Sequence, residues 1–471
     1  MSVHDSLGAT DTGAARVAAR SRALGTPAGR ALGTPARLRA HTGWVGLGGL
    51  LATTLVVALG AARTDTLLPE TVRPLPSWLA GPFGSTGFGL GTGTLIGLLA
   101  LMFVSYAVTL RATDRLSPRS VLMCIAALNA LVLLAPPLLS TDVFSYQFYG
   151  RMGAVYGANP YLAGPHALAL DPLFPYIGAK WSYTPTVYGP LFTLLSFALA
   201  PLSIAASVLA YKAIAVLASL GTVILVWRAA RLRGLDPVRA VALVGLNPLL
   251  VLYGVGGGHN DLLMLLPLVA GIYLLLSRHE RSGSAMVLAA AAIKITAVLP
   301  LAFAIAGRGG RRERNRRRDV LIGAGAATVA FAVLGFAVFG TGPLHMLATL
   351  QQVQSEGDWH SIPGFISTRL GLGTAGHVVG IVLGVAFLVA FGALLRRVWQ
   401  GRMDWIAAAG WTAVALLISA SSLLPWYVAW LLPLAALGGD RRLWRTTVLL
   451  TGAILAIQLI GYLPHGGIFG L

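Results

Sequence analysis

The sequence predicts an all-α polytopic membrane protein, and three observations predict it. Of its 471 residues 56% are hydrophobic and 11% charged, with a mean hydropathy of +0.76, whereas soluble domains carry about 25% charged residues. Apolar stretches near the roughly 20 residues needed to cross a bilayer recur from Trp44 to the C-terminus. The arginines fall mostly between those stretches, seven of them within Arg308–Arg318 and six between Arg16 and Arg39, which is the pattern of cytoplasmic loops. The net charge of +19 therefore reads as topology, and nucleic acid is not an expected partner because no docking fold is visible. The single Cys124 lies within an apolar run, which excludes an internal disulfide and a thiolate metal cluster and leaves a small buried hydrophobe.

Residues 1–42 are rich in Ala, Gly and Arg and carry a tandem ALGTPAGR–ALGTPAR over Ala23–Arg37. They have no apolar core or convincing cleavage site, so they read as a disordered basic cytoplasmic tail and not a signal peptide. Residues 43–471 read as one transmembrane domain of about 12–13 helices. The spans are expected at 43–62, 88–110, 119–139, 205–228, 238–256, 261–277, 283–306, 320–340, 374–396, 404–421, 424–438 and 445–463, with 190–203 doubtful.

Loop charge sets the orientation. With the tail inside, the loop at 63–73 is outside, Arg111–Arg119 is inside, and the third span delivers Asp142 and the long loop 140–190 to the outside. Arginines at 228, 231, 233 and 239 belong inside, so Gly189–Ala200 is expected to lie along or dip into the outer leaflet. The next span carries Gly256–Asp261 out. Residues 283–306 have one span's length, yet a single crossing would place Arg308–Arg318 outside. That segment is expected to rise, break near Lys294 and return past Pro300 as two half-helices, since a lysine there must reach a polar cavity or an interface. The alternative flips 205–306 and leaves several arginines external. On the first threading Asp142, His259-Asn260-Asp261, Lys294, the QSEGDWH stretch (354–360) and SSLLPWY (421–427) all arrive on the external face.

Each of these groups has a structural as well as a chemical reading. Asp142 in STDVFSY suits a general base toward a sugar hydroxyl, and also the capping of a surface helix. Arg151 is a phosphate ligand or the partner of a structural ion pair. The loop aromatics, Tyr146, Tyr149 and Tyr188 among them, suit an interfacial belt or stacking on a sugar or polyprenyl chain, and Asn159 offers an amide to substrate. His259, Asn260 and Asp261 open a span after three glycines, as helix capping or as substrate and phosphate contacts. No second ligand cluster at useful spacing makes them a metal site. Lys294 snorkels to the surface or neutralises a departing phosphate. Glu356, Asp358 and His360 read as solvated loop charge, and Trp426 and Tyr427 after Pro425 as the lining of a kinked cavity.

Together, TDVFSYQFYGRMGAVYGANPY, YTPTVYGPLFTLLS, NPLLVLYGVGGGHNDLLML, AAAAIKITAVLPL and LLPWYVAWLLPL resemble the actinobacterial polyprenol-phosphomannose-dependent α-1,6-mannopyranosyltransferases of the GT-C class, from about Trp44 to the C-terminus. The resemblance implies a GT-C bundle whose long external loop holds a catalytic aspartate, and Asp142 is the matching position. It implies inverting transfer from a β-mannosyl polyprenyl phosphate to a growing α-1,6-mannan of a lipomannan or lipoarabinomannan core, at the plasma membrane, without nucleotide sugar, metal or other cofactor. Lys294, with His259 or an Arg, would hold the phosphate. Many GT-C enzymes carry a carboxylate pair in this loop, whereas here Asp142 stands alone and Asp171, followed by Pro172, is a poor companion. Glucose or arabinofuranose as the lipid-linked sugar, or a flippase of such lipids, are the alternatives. A flippase should show repeated halves, and none is visible.

Overall fold

The structure is a computed structural model that describes residues 35–72, 76–84, 87–308, 310 and 313–462. The first 34 residues of the expected tail lie outside the described residues, and Pro35 already begins a helix. Every regular element described is helical. In chain order the α-helices of six or more residues are α1 (Pro35–Gly60), α2 (Thr92–Arg111), α3 (Pro118–Leu134), α4 (Asp142–Ala154), α5 (Pro190–Leu199), α6 (Ile204–Leu232), α7 (Pro237–Gly245) and α8 (Asn260–Leu276). There follow α9 (Glu280–Ala291), α10 (Leu299–Ala306), α11 (Arg314–Phe339), α12 (Gly342–Glu356), α13 (Gly373–Trp399), α14 (Trp405–Ser419), α15 (Leu432–Leu437) and α16 (Arg441–Gly461). The chain is an all-α polytopic membrane protein.

Six of these, α1, α2, α6, α11, α13 and α16, are long and apolar enough to cross a membrane as continuous helices. The other expected spans are shorter or broken, and the breaks have causes in the sequence. The helix expected over 238–256 stops at Gly245 because Pro248 cannot continue it. Asn247 Oδ1 instead accepts from the amides of Leu249 and Leu250 at 3.0 and 3.2 Å, and the chain resumes as a π-turn over Leu250–Val255. The span expected over 424–438 divides into a 3₁₀ turn (Pro425–Trp430) and the short α15.

The doubtful segment 190–203 forms the 10-residue α5, about 15 Å long and too short for a hydrocarbon core of about 30 Å. It packs against α4, whose Gly150 leaves no room for a side chain beside the Ser196 carbonyl. Gln147 of α4 donates to the Leu202 carbonyl at 3.0 Å just beyond it. The buried Lys212 of α6 donates to the carbonyls of Ala135 and Pro136, which satisfies the end of α3 and fixes the turn that leads to Asp142.

Residues 280–306 form the expected broken hairpin. The chain is extended at Lys294, and the return half starts with Pro300 in its first turn. Arg308, just past that half, meets Glu280, which opens the first, at 2.9 Å, and Arg316 meets the same carboxylate. Both ends of the hairpin therefore lie at one level, with Lys294 at its tip. Gly271 and Gly283 face each other where α8 and α9 cross, and a Cβ on Gly271 would fall 2.7 Å from the Gly283 carbonyl oxygen, the close approach that small residues allow in membrane bundles. The arginine-rich turns gather at the hairpin's open end, where Arg233 pairs with Asp404 at 3.1 Å and Arg281 with Asp319 at 2.8 Å. Asp142, His259–Asp261, Lys294 and Trp426–Trp430 gather at the other end.

Candidate active site

Three breaks in the helical pattern build the site: the start of α4, the glycine turn before α8, and the hairpin tip. Asp142 is the first residue of α4 and does not cap it. Its Oδ2 accepts from Tyr146 Oη at 3.3 Å and lies 3.3 Å from His259 Nδ1. Tyr146 Oη also meets the Asn260 amide, at 3.4 Å from both its backbone nitrogen and Oδ1. Gly258, at φ +67°, makes the turn that presents His259, and the imidazole stacks on Trp426 with ring centroids 3.6 Å apart. Burial pushes the Asp142 carboxyl up, but the hydrogen bond and charge of His259, then Lys294 and Tyr146, hold it below the usual carboxylate range.

Asp261, fully buried in the first turn of α8, does not serve as a cap either. Its carboxylate accepts both bonds of Lys294, at 2.8 and 2.9 Å, and a third from Trp430 Nε1 at 2.5 Å. The Lys294 ammonium sits over the stacked rings of Tyr427 and Trp430, 4.9 and 5.2 Å from their centroids. Two of its three N–H donors go to Asp261, which leaves one for a ligand.

Asp142 and Lys294 both line one cavity of about 360 Å³, together with Tyr149, Tyr188, Trp426 and Tyr427. Trp181 and Trp430 add apolar walls, while Gln354, Ser419 and Ser422 add polar ones. Ser145 Oγ and Thr296 Oγ1 are buried at its edge without a hydrogen-bond partner among the described residues. Orphaned hydroxyls of this kind are costly unless a ligand or water meets them. An apolar groove of about 250 Å³ between the hairpin, α5, α11 and α12 shares Ile295 with this cavity, one residue from Lys294.

The site residues expected from the sequence divide into three groups. Asp142, Lys294, Tyr149, Tyr188, Trp426 and Tyr427 line the cavity. His259, Asn260, Asp261 and Tyr146 stand behind it and hold Asp142 and Lys294 in place. Arg151 and Asn159 do neither. Arg151 is tied to the buried Asp171 at 2.7 Å, with Tyr156 donating to the same oxygen, so its guanidinium is spent on holding the loop. Asn159 donates to the Phe339 carbonyl at 2.7 Å and accepts from Tyr161 N at 3.0 Å, joining the loop to the end of α11. The second carboxylate of this region, Asp261, comes from a helix and not from the loop, and it is bound to Lys294 and Trp430. Trp430, Ser145 and Thr296 went unrecognised, since a Trp in a belt and hydroxyls in apolar helices carry no distinctive signal.

A family model described as alpha-(1->6)-mannopyranosyltransferase, N-terminal domain, matches residues 43–307, and one described as MptB C-terminal domain matches residues 360–470. A probable alpha-(1->6)-mannopyranosyltransferase of Mycolicibacterium smegmatis is 29% identical over 72% of this chain and 66% of its own length. Alpha-(1->6)-mannopyranosyltransferase A of Mycobacterium tuberculosis is 30% identical over 83% of this chain and 78% of its own length. The corresponding enzyme B of Corynebacterium glutamicum is 27% identical over 83% and 73%. The chain thus spans about two thirds to three quarters of these relatives' lengths. No solved structure matches.

Proposed function

This chain belongs to the alpha-(1->6)-mannopyranosyltransferase family, and we propose that it transfers mannose from polyprenyl phosphomannose to a growing α-1,6-mannan of a lipoglycan, on the outer face of the plasma membrane with its N-terminus inside. The observation that carries this reading is a half-buried carboxylate and an ammonium, Asp142 and Lys294, lining one aromatic-walled cavity at one end of the bundle. The groove at Ile295 supports a lipid-borne donor, because a phosphate beside Lys294 can continue directly into apolar surface.

The reaction needs a single in-line displacement. The acceptor's 6-hydroxyl oxygen attacks the anomeric carbon of the donor. The C–O bond to phosphate breaks as the new glycosidic bond forms, the hydroxyl proton passes to Asp142, and polyprenyl phosphate leaves with the bonding electrons. Tyr146 and His259 both address Oδ2 of Asp142, which leaves Oδ1 to meet the attacking hydroxyl. Their bonds keep the carboxylate ionised and orient it, as a general base requires. The remaining Lys294 N–H meets the phosphate as its charge develops, from a side chain only 14% exposed, where the interaction is stronger than in open water. Ser145, Thr296 and Gln354 are the groups positioned for sugar hydroxyls.

The test is to supply membranes containing the protein with radiolabelled polyprenyl phosphomannose, polyprenyl phosphoglucose or a nucleotide-linked mannose, together with an α-1,6-dimannoside. Label should pass to the dimannoside from the first donor alone. Transfer from the nucleotide sugar, or from none of the three, would overturn the reading.

A further inference from the structure

A second cavity, of about 340 Å³, opens beside the first. Gln354 lines both, and the consecutive Ser421 and Ser422 line one each. We propose that this cleft is the acceptor-glycan subsite, holding the sugar units of the acceptor beyond the first two, the one whose hydroxyl attacks and the one next to it; the proposal rests on the glycosyl-transfer reading above.

The lining decides the class of ligand. Gln354, Ser355, Ser367, Ser421 and His377 supply amide, hydroxyl and imidazole groups, and among the described residues that line the cleft none is an Asp, Glu, Lys or Arg. Among these residues a phosphate or a carboxylate finds no countercharge. Ser355 and Ser367 donate to the carbonyls of Gln352 and Gly364 at 2.7 and 3.1 Å, and a lipid chain would leave the lone pairs of these hydroxyls unmet. A neutral polyhydroxyl chain satisfies them. At Gly357, Gly373 and Gly380 an added carbon would meet nothing nearer than 3.6 Å, so a pyranose ring can approach the main chain closely there.

The partition between the two cavities is tied to itself. Asp358 N donates to the Ser421 carbonyl at 2.9 Å, Ser361 Oγ lies 2.6 Å from the same oxygen, and Ser421 N donates to Gln354 Oε1 at 3.3 Å. Gln354 is therefore held at the junction, where it can contact the reacting sugar on one side and the chain behind it on the other. Asp358, which reads in sequence as solvated loop charge, instead helps to hold the divider between the two subsites through its backbone bond to Ser421.

The experiment compares an α-1,6-linked dimannoside with a hexamannoside as acceptors for radiolabelled polyprenyl phosphomannose, using the full-length protein. A Cβ on Gly380 would sit 3.6 Å from Pro363 and 4.0 Å from Ser421 Oγ, so Gly380→Leu extends across the cleft from ordinary contact distances. Wild type should show a lower KM for the hexamannoside. Gly380→Leu should raise that KM about tenfold, the equivalent of one or two lost hydrogen bonds, while leaving kcat and the dimannoside KM unchanged. Gly373→Leu, whose added carbon meets nothing within 4 Å, gives a second block if the first variant does not fold. Equal KM values for the two lengths in wild type, or a loss shared equally by both acceptors in the variants, would overturn the subsite. Wild-type transfer to neither acceptor would overturn the transfer reading, and the subsite with it.

Discussion

Replacing Lys294 with Met should both destabilise the protein and stop it using donor, and the two effects should separate once Asp261 is changed as well. The ammonium lies 2.8 and 2.9 Å from the two oxygens of Asp261, and the side chains are only 14% and 0% exposed. Removing one partner of such a pair strands the other charge in the interior, which costs about 3–5 kcal/mol. Trp430 keeps its bond to Asp261 in the variant, which favours the lower end. Changing Asp261 to Asn in the Lys294→Met background removes the stranded charge and keeps an acceptor for Trp430. The double variant should therefore recover most of the loss, with a coupling energy of about 2–3 kcal/mol in the cycle. Reversible unfolding in mixed detergent micelles reads the stability, and transfer in proteoliposomes reads the activity. Donor use should stay lost in the double variant, because no cation remains beside the departing phosphate. The reasoning is refuted if Lys294→Met alone unfolds within about 0.5 kcal/mol of wild type, or if the double variant regains transfer.

The remaining predictions follow from neighbouring contacts. His259→Phe keeps the stack on Trp426 but removes the contact to Asp142. Because that contact lowers the Asp142 pKa against a burial that raises it, the acid limb of the pH–rate profile should lie below the ordinary carboxylate range in wild type and move to higher pH in the variant; an unmoved limb would separate His259 from the base. Arg151→Met leaves the buried Asp171 with Tyr156 but without its cation, so the folded protein should lose about 3 kcal/mol of stability while the donor KM of what remains folded is unchanged. A raised donor KM would return Arg151 to the phosphate site.

Much of this architecture is legible in the sequence because a bilayer imposes strong rules. Arginine placement and a single lysine were enough to expect the hairpin at 283–306, since a straight span would have put a cluster of seven arginines on the wrong side. The break at Asn247-Pro248 is hidden by the apolar length of 238–256, and the proline is the signal that marks it. Asp142 and Lys294 stood out as charges beside or within apolar runs. What each would pair with did not, because ion pairs such as Arg151–Asp171, 20 residues apart, and Lys294–Asp261, 33 apart, are set by tertiary packing. By the same limit, the sequence around Asp261 suits a substrate contact or a cap although the residue anchors the lysine, and Trp430 is indistinguishable from belt aromatics although it bonds to that carboxylate.

The most direct test compares wild type with Asp142→Asn for transfer of labelled mannose from polyprenyl phosphomannose to an α-1,6-dimannoside, at matched amounts of folded protein. Asparagine keeps the shape of the side chain and an oxygen for Tyr146, but cannot take the proton. Transfer should fall by at least about 100-fold, the lower range of what general-base catalysis contributes. Transfer by Asp142→Asn within a few-fold of wild type would contradict the assignment of Asp142 as the base.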